Sequence, residues 1–351
     1  MHVLVIDDSA VVRQAFTMLL SKRFSIDTAA DPIIGARKIA KRRPAVVVLD
    51  LQMPRIDGFT FLRQIMRTDP LPVVICSSAA ARGSETALRA LEEGAVDVIA
   101  KPVVGVREFL EESQVLIGDA IEAAAQARMT RRVALTLPSP GGRGRREAPG
   151  EGASPMVVAI GASTGGTEAL RVVIEALPAN APPILVVQHM PAGFTAAFAK
   201  RLNASSRVEV KEAEGGDEVV PGRVLIAPGD QHLLLRRAGA KFFVQLAGGP
   251  LVSRHRPSVD VLFRSVAQAA GANAAGVIMT GMGDDGAAGL AAMRALGART
   301  IAQDEATCIV FGMPKEAIEL GAAEHVLPLN DISAAILRLT ARSNECESPR
   351  F

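Results

Sequence analysis

Short runs of β-branched apolar residues alternate with amphipathic helical stretches twice along this chain, and that pattern leaves few folds open. In the first third the expected strands are Val3–Ile6, Ala45–Leu49, Val73–Cys76 and Val96–Ile99, with a weaker one near Ile26–Ala29. Val11–Leu20 and Ser84–Glu93 carry helical spacing, the second closed by Gly94. Strand–helix alternation of this kind implies a parallel sheet with helices on both faces. A second alternation starts at Met156. There MVVAIG, PPILVVQ and AAGVIMT read as buried strands, each followed by a glycine-containing loop and a helical run. Val208–Val210, Arg223–Ala227, His232–Leu235 and Lys241–Leu246 read as shorter strands with turns, including AGAK, and point to an antiparallel hairpin insertion. The expected fold class is α/β, with two doubly wound parallel-sheet domains.

A chain of 351 residues has room for two such domains, each with its own core. The character changes near residue 122. Residues 123–153 collect Arg128, Arg131, Arg132, Arg143, Arg145 and Arg146 among Ala, Pro and Gly, and PSPGGRGRREAPGEG cannot bury an apolar face. A flexible linker is expected there, with its arginines serving solubility and reach in preference to an acidic partner. The expected boundaries are 1–122, 123–153 and 154–345.

Composition excludes several function classes. A formal charge of +2 is too small to argue for nucleic acid or membrane partners. Trp and Tyr are absent, so base-stacking platforms are not expected. Cys76, Cys308 and Cys346 have no paired spacing and read as reduced thiols. MHVLVIDDSA lacks the basic start of a signal peptide, and no apolar run reaches the roughly 18 residues of a membrane span. The expected compartment is the cytoplasm, without membrane insertion.

Two sets of residues fall at strand ends. Asp7 and Asp8 follow the first strand, Asp50 ends the third, Ser77 follows the fourth and Lys101 the fifth. In an open parallel sheet these ends converge on one crevice. Carboxylates gathered there repel one another, and magnesium, with water and phosphate oxygens completing its shell, is the natural remedy. Asp50 is placed to attack a phosphoryl donor, with Lys101 and Ser77 contacting the phosphoryl oxygens. DDS, LDLQMPRIDGF, SS and KP resemble the response-regulator receiver family, a flavodoxin-like fold, over residues 1 to about 120. The resemblance implies Asp50 as phospho-acceptor, Asp7 and Asp8 as magnesium-binding acids and a histidine kinase as phosphoryl source. Val98 departs from it, standing where many receivers carry an aromatic switch residue.

The second set begins with Ser163 in VVAIGASTGG, between a strand and a helix expected near Thr167. Gly161-x-Ser163-x-Gly165 matches the small-residue frame of a nucleophile elbow, and equally a phosphate cradle at a helix N-terminus. His189 ends the next strong strand, and Asp284 and Asp285 lie in the loop after a third. Serine, imidazole and carboxylate on three strand ends match the roles of a catalytic triad. GASTGG, QHMP, RHRPSVDVLF, MTGMGDDGAAG and FGMPKEAI resemble the catalytic domain of the chemotaxis protein-glutamate methylesterases, from residue 156 to about 340. Spacing alone does not choose between Asp284 and Asp285.

That resemblance implies Ser163 as nucleophile, His189 as base and Asp285 as orienting acid, with the Met282 N–H as oxyanion donor. It puts Thr164 and His255 on the substrate side, although His255 is also a rival base. It further implies hydrolysis of γ-glutamyl methyl esters on chemoreceptors, glutamine deamidation by the same chemistry, and no cofactor for that step. An unphosphorylated receiver covering the cleft is the expected control. The alternative is a receiver-linked module whose second domain binds a partner or nucleotide without hydrolysis. The missing Walker lysine and ribose-binding acid count against the nucleotide.

Overall fold

The structure, a computed structural model, describes residues 1–53, 57–77, 81–101, 107–129 and 156–345. The chain divides into two compact units, Met1–Thr136 and Leu137–Phe351. Residues 130–153 of the expected linker, and Cys346, lie outside the described residues.

In the first unit β1 (His2–Ile6), β2 (Ser25–Ala29), β3 (Val46–Asp50), β4 (Val73–Ser77) and β5 (Asp97–Ala100) alternate with five helices. These are α1 (Ala10–Leu20), α2 (Pro32–Lys41), α3 (Gly58–Thr68), α4 (Ala81–Glu92) and α5 (Arg107–Gln126). The strand order is β2-β1-β3-β4-β5, parallel throughout. β3 and β4 are buried at every position, as unbroken apolar runs covered on both faces should be. The winding direction reverses between β1 and β3, and the chemistry-bearing strand ends gather at that crevice. α5 runs to Gln126, beyond the boundary of 122 expected from composition.

The second unit holds a seven-stranded parallel sheet in the order β14-β13-β12-β6-β7-β9-β8. Its strands are β6 (Val157–Ala162), β7 (Ile184–Gln188), β8 (Glu209–Glu212), β9 (Arg223–Ile226), β12 (Ala274–Ile278), β13 (Arg299–Gln303) and β14 (His325–Leu327). Helices α6 (Gly166–Glu175), α7 (Thr195–Ser205), α8 (Val259–Ala270), α9 (Ala287–Ala295), α10 (Met313–Glu319) and α11 (Leu329–Glu345) connect and flank them. The expected insertion exists as the antiparallel pair β10 (His232–Ala238) and β11 (Lys241–Ala247), turning at Gly239, where φ is 61°. It takes only the last two of the four short strands. β8 and β9 instead extend the parallel sheet, because the crossover between them returns the chain in the same direction.

β6 sits in the middle of this sheet, with β7 on one side and β12 on the other. From β6 the chain first winds toward β7, β9 and β8, then comes back through α8 to β12 and continues outward. The reversal therefore lies between β6 and β12, and the loops leaving these strands open at it.

Candidate functional site

At the first crevice, Asp7 and Asp50 are buried and Asp8 is exposed. Lys101 Nζ lies 2.7 Å from Asp50 Oδ2 and 3.1 Å from Asp7 Oδ2. The Ser9 and Gln52 N–H groups donate to Asp7 Oδ1 and Asp50 Oδ1, at 2.8 and 3.0 Å. Asp7 Oδ2 is buried without a hydrogen bond of good geometry. Burial raises the Asp7 carboxyl, with the Ser9 N–H and Lys101 opposing. Ser77 ends β4 and its carbonyl accepts from Lys101 N–H at 2.9 Å, so the two sit on adjacent strand ends. Val98 is buried in β5. Sequence reading missed Arg13, whose guanidinium donates to the Asp7 and Asp8 carbonyls at 2.7 and 2.9 Å and pins the acid-bearing turn.

At the second crevice, strand register does the placing. Ala162 pairs with Gln188, and the His189 N–H donates to the Ala162 carbonyl at 3.0 Å. Ser163 and His189 thus leave neighbouring strands side by side. From the other flank the Ser163 N–H donates to Thr280 O at 3.0 Å. The Ser163 carbonyl accepts from Gly166 N–H at 2.7 Å and from Gln188 Nε2 at 2.8 Å, closing a tight turn. Gly165 takes φ 77° there, and a side chain on it would run into Ile309 at 2.6 Å. Ser163 is buried, at 8% exposure, with its main chain held by these hydrogen bonds.

His189 Nε2 lies 2.8 Å from Asp285 Oδ2. Asp285 is buried; Asp284 is exposed and takes no part, so the structure separates the pair that spacing could not. Asp285 Oδ2 also accepts from the Val259 N–H at 2.7 Å, and Oδ1 from Ser258 Oγ at 2.7 Å and the Asp260 N–H at 3.0 Å. Burial pushes this carboxyl up, but hydrogen bonds from His189, Ser258 and Asp260 outweigh it and hold the group below its ordinary range. An ionised carboxylate only accepts, so Nε2 carries the imidazole proton. In the neutral ring the lone pair is on Nδ1, a buried atom with no hydrogen-bond partner among the described residues.

His255 stacks flat on His189, with ring centroids 3.7 Å apart and planes within 6°. Its Nδ1 lies 2.7 Å from the Ser253 carbonyl and must donate to it, leaving Nε2 as the acceptor. Burial, and then the neighbouring His189, depress its pKa to about 3, so it stays neutral. Thr164 is buried, and its carbonyl lies 3.0 Å from Thr280 Oγ1. Met282 lies half-buried between Gly281 and Asp285. Gly281 is required here, since a Cβ would come within 2.6 Å of the Ser163 Cβ.

Residues that sequence reading did not single out build the support. Gln188, next to His189 in QHMP, ties the two strand ends. Ser258 and Asp260, inside RHRPSVD, act at helix ends. Asp285 precedes α9 yet caps α8, whereas Asp260 in α8 accepts from the Gly286 and Gly289 N–H groups, at 3.1 and 2.6 Å, at the start of α9. Each carboxylate thus sits on the other helix's positive end. The visible signal was an acid at the first turn of an amphipathic run; its partner came from another segment.

Two clusters bring potential metal-ligand atoms within 4.8 Å of one another: Asp7, Asp8 and Asp50, and His189, His255 and Asp285. The first gathers three carboxylates around one ammonium, and its buried Asp7 Oδ2 lacks a well-formed hydrogen bond, so it suits a hard divalent cation. In the second, the two stacked rings lie in parallel planes, so their in-plane lone pairs do not converge on one point.

Comparison with known proteins agrees with this division. Residues 158–336 match the family described as CheB methylesterase, and residues 3–112 the response regulator receiver domain. A protein-glutamate methylesterase/protein-glutamine glutaminase of Geobacter metallireducens is 56% identical, over 96% of this chain and 98% of that relative. One from Anaeromyxobacter dehalogenans is also 56% identical, over 96% of each chain. The catalytic domain of Thermotoga maritima CheB methylesterase is 46% identical, with a TM-score of 0.52, covering 53% of this chain and 100% of that one. With a response regulator receiver domain preceding its catalytic unit, the chain belongs to the CheB methylesterase family.

Proposed function

We propose that the chain hydrolyses γ-glutamyl methyl esters on chemoreceptors, deamidates selected glutamines there, and is regulated by phosphorylation of Asp50. The observation that carries this reading is the buried imidazole of His189. Its Nε2 is committed to Asp285, its Nδ1 makes no hydrogen bond among the described residues, and its main chain is tied to the strand end from which Ser163 leaves. In this reading Nδ1 takes the Ser163 hydroxyl proton as Oγ attacks the ester carbonyl, and the Met282 N–H receives the developing oxyanion. Collapse returns the proton to the leaving oxygen, methanol departs, and water repeats the sequence on the acyl-enzyme. An amide follows the same path and releases ammonia. Asp285 stabilises the imidazolium through the bond it already makes. Thr164 and His255 line the substrate side, with His255 neutral against His189.

In the receiver, Asp50 takes a phosphoryl group from a histidine kinase, with Lys101 and Ser77 contacting the phosphoryl oxygens. Asp7, Asp8 and Asp50 would hold a magnesium ion, which supplies charge neutralisation. The modification adds roughly −1.5 to −2 charge at that crevice. Cytoplasmic residence goes with this reading. Among the described residues, no helix is long and apolar enough to cross a membrane.

The test is methanol release from methylated receptor membranes by Ser163→Ala. The expected kcat loss is about 10⁴- to 10⁶-fold, as for other triads that act as a unit. Retention of a tenth of the wild-type rate would sink the hydrolase reading.

A further inference from the structure

His232 opens β10, in the hairpin that stands outside the main sheet, and is 5% exposed. Both ring nitrogens are used. The Ser258 N–H donates to Nδ1 at 3.2 Å, and Nε2 lies 3.0 Å from the Pro250 carbonyl. An amide N–H only donates and a carbonyl only accepts, so these partners fix one neutral tautomer, with the proton on Nε2. Ser258 is fully buried and is the N-cap of α8. The N–H that it gives to His232 belongs to the cap residue and lies outside the helix's own ladder. Its hydroxyl donates to Asp285 Oδ1 at 2.7 Å. An unbroken buried chain of hydrogen bonds therefore runs from His232 through Ser258 and Asp285 to His189.

The hairpin has a second hold on α8. The Leu235 N–H donates to Ser265 Oγ at 2.9 Å. Leu233, Leu235, Phe242 and Val244 share one buried apolar cluster with Leu262 and Phe263 of α8. Packing sets the distance between hairpin and helix, but apolar contact is not directional. The polar bond at His232 is directional and ties the cap residue's main chain to the hairpin.

We propose that His232 is a positioning residue of the esterase site, which fixes Ser258 so that its hydroxyl and the first N–H groups of α8 hold Asp285 in register with His189. The proposal rests on the reading of Asp285 as orienting acid and gives the insertion a role in the reaction. His232 touches no reacting atom. Its effect falls on kcat, because Asp285 matters most when His189 is charged, and leaves KM unchanged.

The experiment compares two substitutions in the full-length chain. Asparagine can put its side-chain oxygen where Nδ1 is and so keep the Ser258 bond; glutamine reaches the Nε2 position and loses it. For His232→Gln the expected result is a tenfold or greater fall in kcat for methanol release, with KM within twofold. For His232→Asn kcat stays within threefold. Rates are normalised to the folded fraction measured by circular dichroism, so that they refer to folded enzyme, and His232→Ala carries the same arm should the glutamine variant not accumulate. In a Ser258→Ala background the added loss from His232→Gln shrinks, since the hydroxyl through which His232 acts is gone. Equal rates for the asparagine and glutamine variants, or fully additive losses with Ser258→Ala, overturn the proposal. Asp285→Ala is the control: if it retains wild-type kcat, the triad reading itself fails, whereas loss in Asp285→Ala alone refutes only the role of His232.

Discussion

Asp285→Asn changes one atom's chemistry at a group on which four donors converge, two on each oxygen. The amide can sit in two ways. With its oxygen toward His189 and Val259, the NH₂ meets Ser258 Oγ, which can turn to accept, and the Asp260 N–H, which cannot. With its oxygen toward Ser258 and Asp260, the NH₂ faces the Val259 N–H and His189 Nε2. The imidazole must then move its proton to Nδ1. Each orientation strands one buried main-chain N–H, at a cost of about 1–3 kcal/mol. In a domain of this size that is a fall of roughly 2–12 °C in melting temperature. The catalytic loss is larger than the stability loss, because the imidazolium has no counter-charge in either orientation and the second also removes the lone pair that accepts the serine proton. We expect kcat to fall about 10³- to 10⁴-fold, in the range of orienting-acid substitutions in other triads. Methanol release and thermal melting on one preparation measure both. A kcat within tenfold of wild type, in protein that melts normally, would refute the assignment of Asp285.

His255 gives a pH prediction. Its folded pKa is about 3 against an ordinary 6.5, so between these values the unfolded chain binds the extra proton. Its contribution is complete above pH 6.5 and is lost as pH falls toward 3. His255→Phe should therefore make the decline in urea-unfolding free energy over that window shallower, and unchanged slopes would argue against a neutral buried ring. Chelating divalent cations should abolish phosphoryl incorporation at Asp50 and leave methanol release by unphosphorylated enzyme unaltered; paired phosphorylation and methanol assays check both halves. Asp50→Asn should reproduce that split without chelator.

The two sheets were legible in the sequence because a strand buried on both faces has to be apolar throughout, as in VVVLD and VVAIGA. β13 and β14 were not foreseen. RTIAQ carries polar residues at both ends, and HVL has only three residues at the sheet edge. β8 and β9 were recognised as strands, but their direction depends on how the crossover returns, which local pattern does not encode. At the site, Ser163 and His189 could be found because each ends a strong strand. The support was hidden because its partners are remote in sequence: Ser258 with Asp285, Asp260 with Gly289, His232 with Ser258. Each looks locally like an ordinary cap or strand residue. Only the fold puts the Asp285 carboxylate on the start of α8.

The two crevices handle buried negative charge in opposite ways, and the difference suits each to the role proposed for it. Asp285 has four donors, two of them N–H groups at a helix's positive end, so it remains ionised with every acceptor position in use. Such a group cannot recruit a ligand; what it can do is orient a neighbour and stabilise charge that appears there. Asp7 and Asp50 each have one main-chain donor and share one lysine, with Asp7 Oδ2 in ionic contact with its ammonium but outside hydrogen-bond geometry. Two buried carboxylates against one ammonium leave net negative charge, which favours a cation, and with it a phosphoryl group that can arrive and leave. A satisfied carboxylate suits repeated turnover and an unsatisfied one suits a switch; the strand-end rule that locates both is the same.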